Sequence, residues 1–208
     1  MSTSGIIHLV DDEEAIRKSA GFMLRTSGFS VHAYASGVEF LKTVKTTDAG
    51  CVLLDVRMPD MDGLQVQAAM LERGIDMPVI VLTGHGDVAV AVKAMKAGAV
   101  DFLEKPFQKA ALLDALDRGF ARINDADAKT VDQADALLQL ARLTPREREI
   151  LDGLTHGYPN KTIAYDLGIS SRTVEVHRAS LMGKLSARSL SDVLRIAFAA
   201  GMGRGKTR

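Results

Sequence analysis

The stretch Cys51-Val52-Leu53-Leu54-Asp55 is four apolar residues followed at once by a carboxylate. A run this short and this continuously apolar reads as a strand buried on both faces. The same grammar recurs on either side of it. Gly5 to Val10 ends at Asp11-Asp12, Pro78 to Leu82 ends at Thr83, and Val100 to Leu103 ends just before Lys105-Pro106. Ser30 to Ala35 is a further short strand candidate. Between these runs lie stretches with helical spacing: Ala15–Ser27, Val38–Val44, Leu64–Arg73, Val88–Ala97 and Ala110–Arg122. Glycines 28, 74 and 98 stand where three of those helices should stop. Five strands, each followed by a helix, define an α/β domain over residues 1–122, with a doubly wound five-stranded parallel sheet.

In an open parallel sheet, ligands bind beyond the carboxyl ends of the strands. Asp11, Asp12, Asp55, Thr83 and Lys105 all occupy such ends. One polar strand end is an ordinary loop residue; the set converging on one sheet edge is a site. Three carboxylates in one crevice repel each other, and a hard divalent cation such as Mg2+ relieves the repulsion through oxygen ligands. Lys105 supplies a fixed positive charge, and the Thr83 hydroxyl can hydrogen-bond a phosphoryl oxygen. A carboxylate can itself act as nucleophile and become an aspartyl phosphate. The set therefore reads as phosphoryl acceptance on one aspartate, assisted by Mg2+, Thr83 and Lys105.

The remainder of the chain has another character. Residues 123–141 hold 1 basic against 4 acidic side chains and begin without an apolar stripe, which reads as an exposed linker in which helix is allowed over part of the length. Residues 142–208 hold 12 basic against 6 acidic, whereas residues 1–122 hold 13 against 16. The neutral total thus conceals a basic C-terminal third, as expected of a segment that meets a polyanion. Every long segment in this third is helical in pattern. Thr144-Pro145 with Glu147 caps a helix running to about His156, Asn160 or the residue before it caps one to Leu167, Ser170-Ser171 caps one to Leu185, and Ser189 caps one to about Ala200. A short helix, the Gly168 turn and a longer capped helix form a helix-turn-helix pattern.

On that longer helix Val174, His177, Leu181 and Leu185 fall on one face and should pack inward. Arg172, Glu175, Val176, Arg178, Ala179 and Met182 are left for the other faces. Arg can read guanine, Glu can accept from cytosine, and methyl groups can meet thymine. Lys161, Thr173 and Lys184 are placed for phosphate contacts, which position a protein on double-stranded DNA without reading sequence.

Other classes find little support. No apolar run approaches the ~20 residues of a membrane span, and MSTSGIIHLVDDEE lacks the basic flank of a signal peptide, so a cytoplasmic location with no membrane partner is expected. Cys51 is the single cysteine, which rules out an internal disulfide and leaves no cysteine cluster for zinc.

Asp11-Asp12, MPDMDG at 58–63, TGHGDV at 83–88 and Lys105-Pro106 resemble the receiver domain of response regulators, over residues 6 to about 122. The resemblance implies a flavodoxin-like fold and phosphorylation of Asp55 by a cognate sensor histidine kinase. It implies Mg2+ held by Asp12, Asp55 and the backbone carbonyl of Arg57, with Asp11 acting through water. It also implies a phosphoryl contact from Thr83, an aromatic switch at Phe102 and a cis Lys105-Pro106 peptide. Arg57 and His85, two places beyond Asp55 and Thr83, are candidates for setting the lifetime of the phosphorylated state. Haloacid-dehalogenase-like phosphatases share an Asp, Thr, Lys and Mg2+ set, but place a second Asp where this chain has Arg57. LTPREREIL at 143–151, NKTIAYDLGIS at 160–170 and RTVEVHRASLMGKL at 172–185 resemble the LuxR/NarL-type DNA-binding domain. The whole chain resembles FixJ-type response regulators. That resemblance implies a homodimer when phosphorylated, contact with RNA polymerase, an oxygen-sensing kinase and nitrogen-fixation promoters, and a regulator rather than a dedicated enzyme. The alternative from another class is a phosphorylation-independent regulator whose receiver serves only for docking.

Overall fold

A computed structural model of the chain describes residues 5–84, 88–124 and 133–203. The strands are β1 (Ile6–Val10), β2 (Ser30–Tyr34), β3 (Cys51–Asp55), β4 (Val79–Thr83) and β5 (Asp101–Glu104). They form one parallel sheet in the order β2-β1-β3-β4-β5. Chain progression reverses between β1 and β3, and at such a switch point the connections diverge and leave a crevice at the carboxyl ends. Asp11 follows β1 there and Asp55 ends β3.

The connecting helices are α1 (Glu14–Thr26), α2 (Gly37–Thr43), α3 (Gly63–Glu72), α4 (Val88–Lys96) and α5 (Lys109–Asn124). Side chains alternate across the strands, so Ile7, Leu9, Cys51, Leu53, Ile80, Leu82 and Leu103 share one face. They form a core with Ala20 and Leu24 of α1 and Leu112, Ala115 and Leu116 of α5. On the other face, His8 meets Tyr34 and the ring of Phe40 from α2. Gly37 is required where α2 passes α3, because a Cβ there would lie 2.2 Å from Val66 Cγ2. An aspartate box starts α3: Asp62 accepts from the Gln65 backbone N–H while the Gln65 side chain accepts from that of Asp62.

The start of β5 departs from expectation. The strand begins at Asp101, a residue only 1% exposed. Burial is possible because Arg118 of α5 donates to its carboxylate and the Phe102 N–H donates at 2.8 Å.

The described residues fall in two compact units, one within residues 1–85 and 97–128, the other within 86–96 and 129–208. By packing, α4 belongs to the second, although β4 and β5 flank it in sequence. The second unit also contains α6 (Gln133–Ala141), α7 (Pro145–Thr155), α8 (Asn160–Leu167), α9 (Ser171–Lys184) and α10 (Leu190–Ala199). Its core includes Ile150, Leu151, Leu154, Ile163, Val174, Leu181, Leu185, Val193 and Ile196. Ala136 and Leu140 of α6 join that core, so ordered packing begins inside the stretch expected to be a linker over 123–141. Leu137 and Leu138, by contrast, stay exposed.

Capping follows the sequence closely. Thr144 and Glu147 form a reciprocal box at α7 with Pro145 in the first turn, and Ser189 does the same with Asp192 at α10. Ser170 caps α9 through the Thr173 N–H. Between the two candidates for α8 the cap residue is Pro159, which offers no side chain for the purpose, and Asn160 is free to bond elsewhere. Gly168 has φ 64°, the left-handed turn that an α8–α9 connection this short demands. The expected role of His85 and the linker residues 125–132 lie outside the described residues.

Candidate functional site

The sheet delivers a cluster at the switch point. Asp11 is fully buried and Asp55 is 4% exposed, with Asp12 more open beside them. Ligand oxygens of the three carboxylates all lie within 4.8 Å of one another. Lys105, arriving from beyond β5, places Nζ 2.7 Å from Asp11 Oδ2 and 3.0 Å from Asp55 Oδ1. A cis peptide joins it to Pro106, and its backbone N–H donates to the Thr83 carbonyl at 2.8 Å. The other Asp11 oxygen accepts from the Glu13 N–H at 2.9 Å, while Arg17 donates to the Asp11 carbonyl at 2.6 Å. Gly63 is needed behind the site, since a Cβ there would lie 2.3 Å from the Asp55 carbonyl oxygen.

Burial pushes the Asp55 carboxyl above the usual carboxylate range, helped by the neighbouring Asp11 charge and opposed by Lys105 and the Arg57 backbone N–H. For Lys105 burial disfavours the ammonium, but the bonds to Asp11 and Asp55 outweigh it and the pKa rises. The lysine is therefore a permanent cation. Among the described residues, Lys105 is the cation that pairs with Asp11 and Asp55, and the three carboxylates share a partly buried crevice with it. Oxygen donors close together with uncompensated charge suit a hard divalent cation.

Thr83 ends β4 one residue beyond Leu82, the register partner of Asp55. It is 2% exposed, and its hydroxyl donates to the Leu103 carbonyl at 3.4 Å, at the long limit for such a bond. Phe102 is half-buried on β5. Arg57 is exposed, directly after the last buried residue of the β3 end.

In the second unit, α9 presents Arg172, Glu175, Val176 and Ala179 to solvent, with Val176 63% exposed. Lys161 on α8 is exposed as well. Val174, Leu181 and Leu185 are buried, and His177 is half-buried on the same side. Three expected contact residues have partners of their own. Thr173 shares a 2.8 Å hydroxyl bond with Ser170. Arg178 donates to Asn160 Oδ1 at 2.7 Å, tying α9 to the start of α8. Lys184 pairs with the buried Glu147 carboxylate at 2.7 Å. The Asp101–Arg118 pair and the Glu147 cluster were not anticipated, because their partners come together only through tertiary packing.

Residues 7–117 match the response regulator receiver domain, and residues 141–197 match the bacterial regulatory proteins of the luxR family. The chain belongs to the two-component response regulators, with a receiver domain followed by a LuxR-type DNA-binding domain. It is 46% identical over 97% of its length to the transcriptional regulatory protein FixJ of Rhizobium meliloti (strain 1021), covering 98% of that protein. It is 41% identical to the tetrathionate response regulatory protein TtrR of Salmonella typhimurium, covering 91% of this chain and 90% of that one. Among solved structures it is similar to full-length FixJ from B. japonicum, at TM-score 0.58 and 41% identity, over 96% of this chain and 98% of that one. Its relatives are transcriptional regulators, not a class of dedicated enzymes. No described helix is long and apolar enough to cross a membrane.

Proposed function

We propose that Asp55 accepts a phosphoryl group from a cognate histidine kinase and that the modified receiver raises DNA occupancy by α9. The observation that carries this reading is the Lys105 ammonium bridging Asp11 and Asp55 at the switch point of the sheet. In the transfer, an Asp55 oxygen bonds to phosphorus while the bond from phosphorus to the donor imidazole nitrogen breaks. The lone pair stays on the imidazole. Asp11, Asp12, Asp55 and the Arg57 carbonyl are the groups available to hold Mg2+, which when bound offsets the charge of the phosphoryl oxygens. Lys105 moves from a carboxylate-only environment to one containing the phosphoryl oxygens, and its fixed charge favours the product. Thr83 gives up a long, weak bond to Leu103 when its hydroxyl turns to a phosphoryl oxygen, and Phe102 follows inward.

The reader surface would be Arg172, Glu175, Val176, Arg178 and Ala179, with Lys161 and Thr173 on phosphates. Phosphorylation-dependent homodimerisation places two α9 helices on half-sites about one helical turn apart. The exposed face of α1, including Phe22 at 67% exposure, is the kinase-facing surface. The FixJ likeness supports nitrogen-fixation or oxygen-responsive promoters, RNA polymerase contact and a cytoplasmic location. Genome-wide DNA occupancy in wild type against Asp55→Asn tests the reading: occupancy that depends on Asp55 supports it, and unchanged occupancy with unchanged transcription favours a receiver that only docks.

A further inference from the structure

The buried carboxylate of Glu147 gathers donors from two helices. Its Oε1 accepts from the Ser180 hydroxyl at 2.7 Å, and its Oε2 accepts from Lys184 Nζ at 2.7 Å and from the Thr144 N–H at 2.8 Å. Glu147 is 2% exposed. Ser180 and Lys184 are one turn apart on α9, so one carboxylate grips that helix at two points while anchored to the cap of α7. The side of α9 so gripped leaves Arg172, Glu175, Val176 and Ala179 in solvent. Rotation or sliding of α9 against α7 breaks these bonds and displaces every base-facing side chain together.

We infer that Glu147 and Lys184 are positioning residues for DNA readout, with Lys184 serving as the counter-ion of Glu147 and not as a phosphate contact. This rests on the reading of α9 as the DNA-reading helix. A lysine held by a buried carboxylate brings no net positive charge to DNA and displaces no counterion from it. Its loss acts through the geometry of α9, and so weighs on sequence-specific more than on non-specific binding.

The test uses the full chain and two probes: a duplex selected by the wild type from a random pool, and a random-sequence duplex. Affinity for each is measured across salt concentrations. Lys184→Met should lower affinity for the selected duplex by at least about tenfold. The salt slope should stay unchanged, and affinity for the random duplex should stay within about twofold. Adding Glu147→Gln removes the unpaired buried charge, and the double variant should recover most of the selected-over-random ratio. A salt slope reduced by about 0.9 with equal losses on both duplexes would mark Lys184 as a phosphate contact and overturn the assignment. So would a double variant that recovers nothing. If Lys184→Met fails to fold, the double variant alone decides, since a phosphate lysine lowers the slope there too. A wild type that selects no duplex strikes the DNA reading itself, and this assignment with it.

Discussion

Lys105 Nζ lies 3.0 Å from Asp55 Oδ1, and the same ammonium reaches Asp11 Oδ2 at 2.7 Å. The two carboxylates come from neighbouring strands and the lysine from the sheet's far end. A buried charge pair is weak evidence of stability, yet removing one partner leaves the other uncompensated. Lys105→Met should therefore destabilise the receiver by about 3–5 kcal/mol in the absence of divalent cations. Denaturant melts with chelator and with Mg2+ check this. Added Mg2+ should recover part of the loss, because the orphaned carboxylates gain another cation.

The Glu147 carboxyl is held down at about 2: burial opposes the charge, but Lys184, Ser180 and Thr144 outweigh it. A carboxylate with a depressed folded pKa stabilises above its unfolded pKa, near 4.3, and loses that contribution as pH falls. Amide-exchange protection of α9 in the full chain should decline between about pH 4.5 and pH 2. Glu147→Gln should flatten this decline, and an identical decline in the variant counts against the network.

His8 supplies the opposite kind of pH dependence. It is 4% exposed, with Nδ1 3.1 Å from the Tyr34 hydroxyl. Burial lowers its pKa and the nearby His32 adds to the effect, against the opposing pull of the Ala49 backbone and Asp48. The fold disfavours its protonation while the unfolded chain takes up a proton below about pH 6.5, so stability falls as pH drops below that value. The stability difference between wild type and His8→Phe should shift against the wild type from pH 7.5 to pH 5.5, as read by chemical denaturation.

Cys51 is fully buried, donates to the Pro78 carbonyl at 3.4 Å, and has its thiol pushed up to about 12 by burial. The native thiol should resist thiol reagents at pH 8 and react only as the receiver opens. Gly119 packs so closely that a Cβ there would lie 2.7 Å from Cys51 Sγ. Gly119→Ala should cost about 1–3 kcal/mol by overpacking and make Cys51 more reactive.

Much of the receiver was legible because β1, β3 and β4 carry their own punctuation: a continuous apolar run, then Asp11, Asp55 or Thr83. Local pattern also shows caps, and Ser170, Ser189 and the Thr144–Glu147 box all appear where expected. What was not legible depends on partners distant in sequence. Asp101 could not be read as the buried start of β5 without Arg118, which lies on another element. Glu147 was visible as a capping acid, but its second task depends on α9 packing beside α7. Lys184 looked like a surface lysine for the same reason. α6 is legible only as helix allowed within a linker, because its buried side is made by Ala136 and Leu140, while the adjacent Leu137 and Leu138 face solvent and blur the stripe.

The central claim is that Asp55 is the phosphoryl acceptor and that its modification governs the DNA-binding domain. The most direct measurement incubates the full chain with Mg2+ and a small phosphoramidate donor, reduces the acyl phosphate in one portion with borohydride to mark its site as homoserine for mass spectrometry, and follows binding to the selected duplex in an unreduced portion. The account predicts a single modified site at Asp55 and a rise in DNA affinity that Asp55→Asn abolishes. Modification at another residue, or affinity indifferent to Asp55 modification, would contradict it.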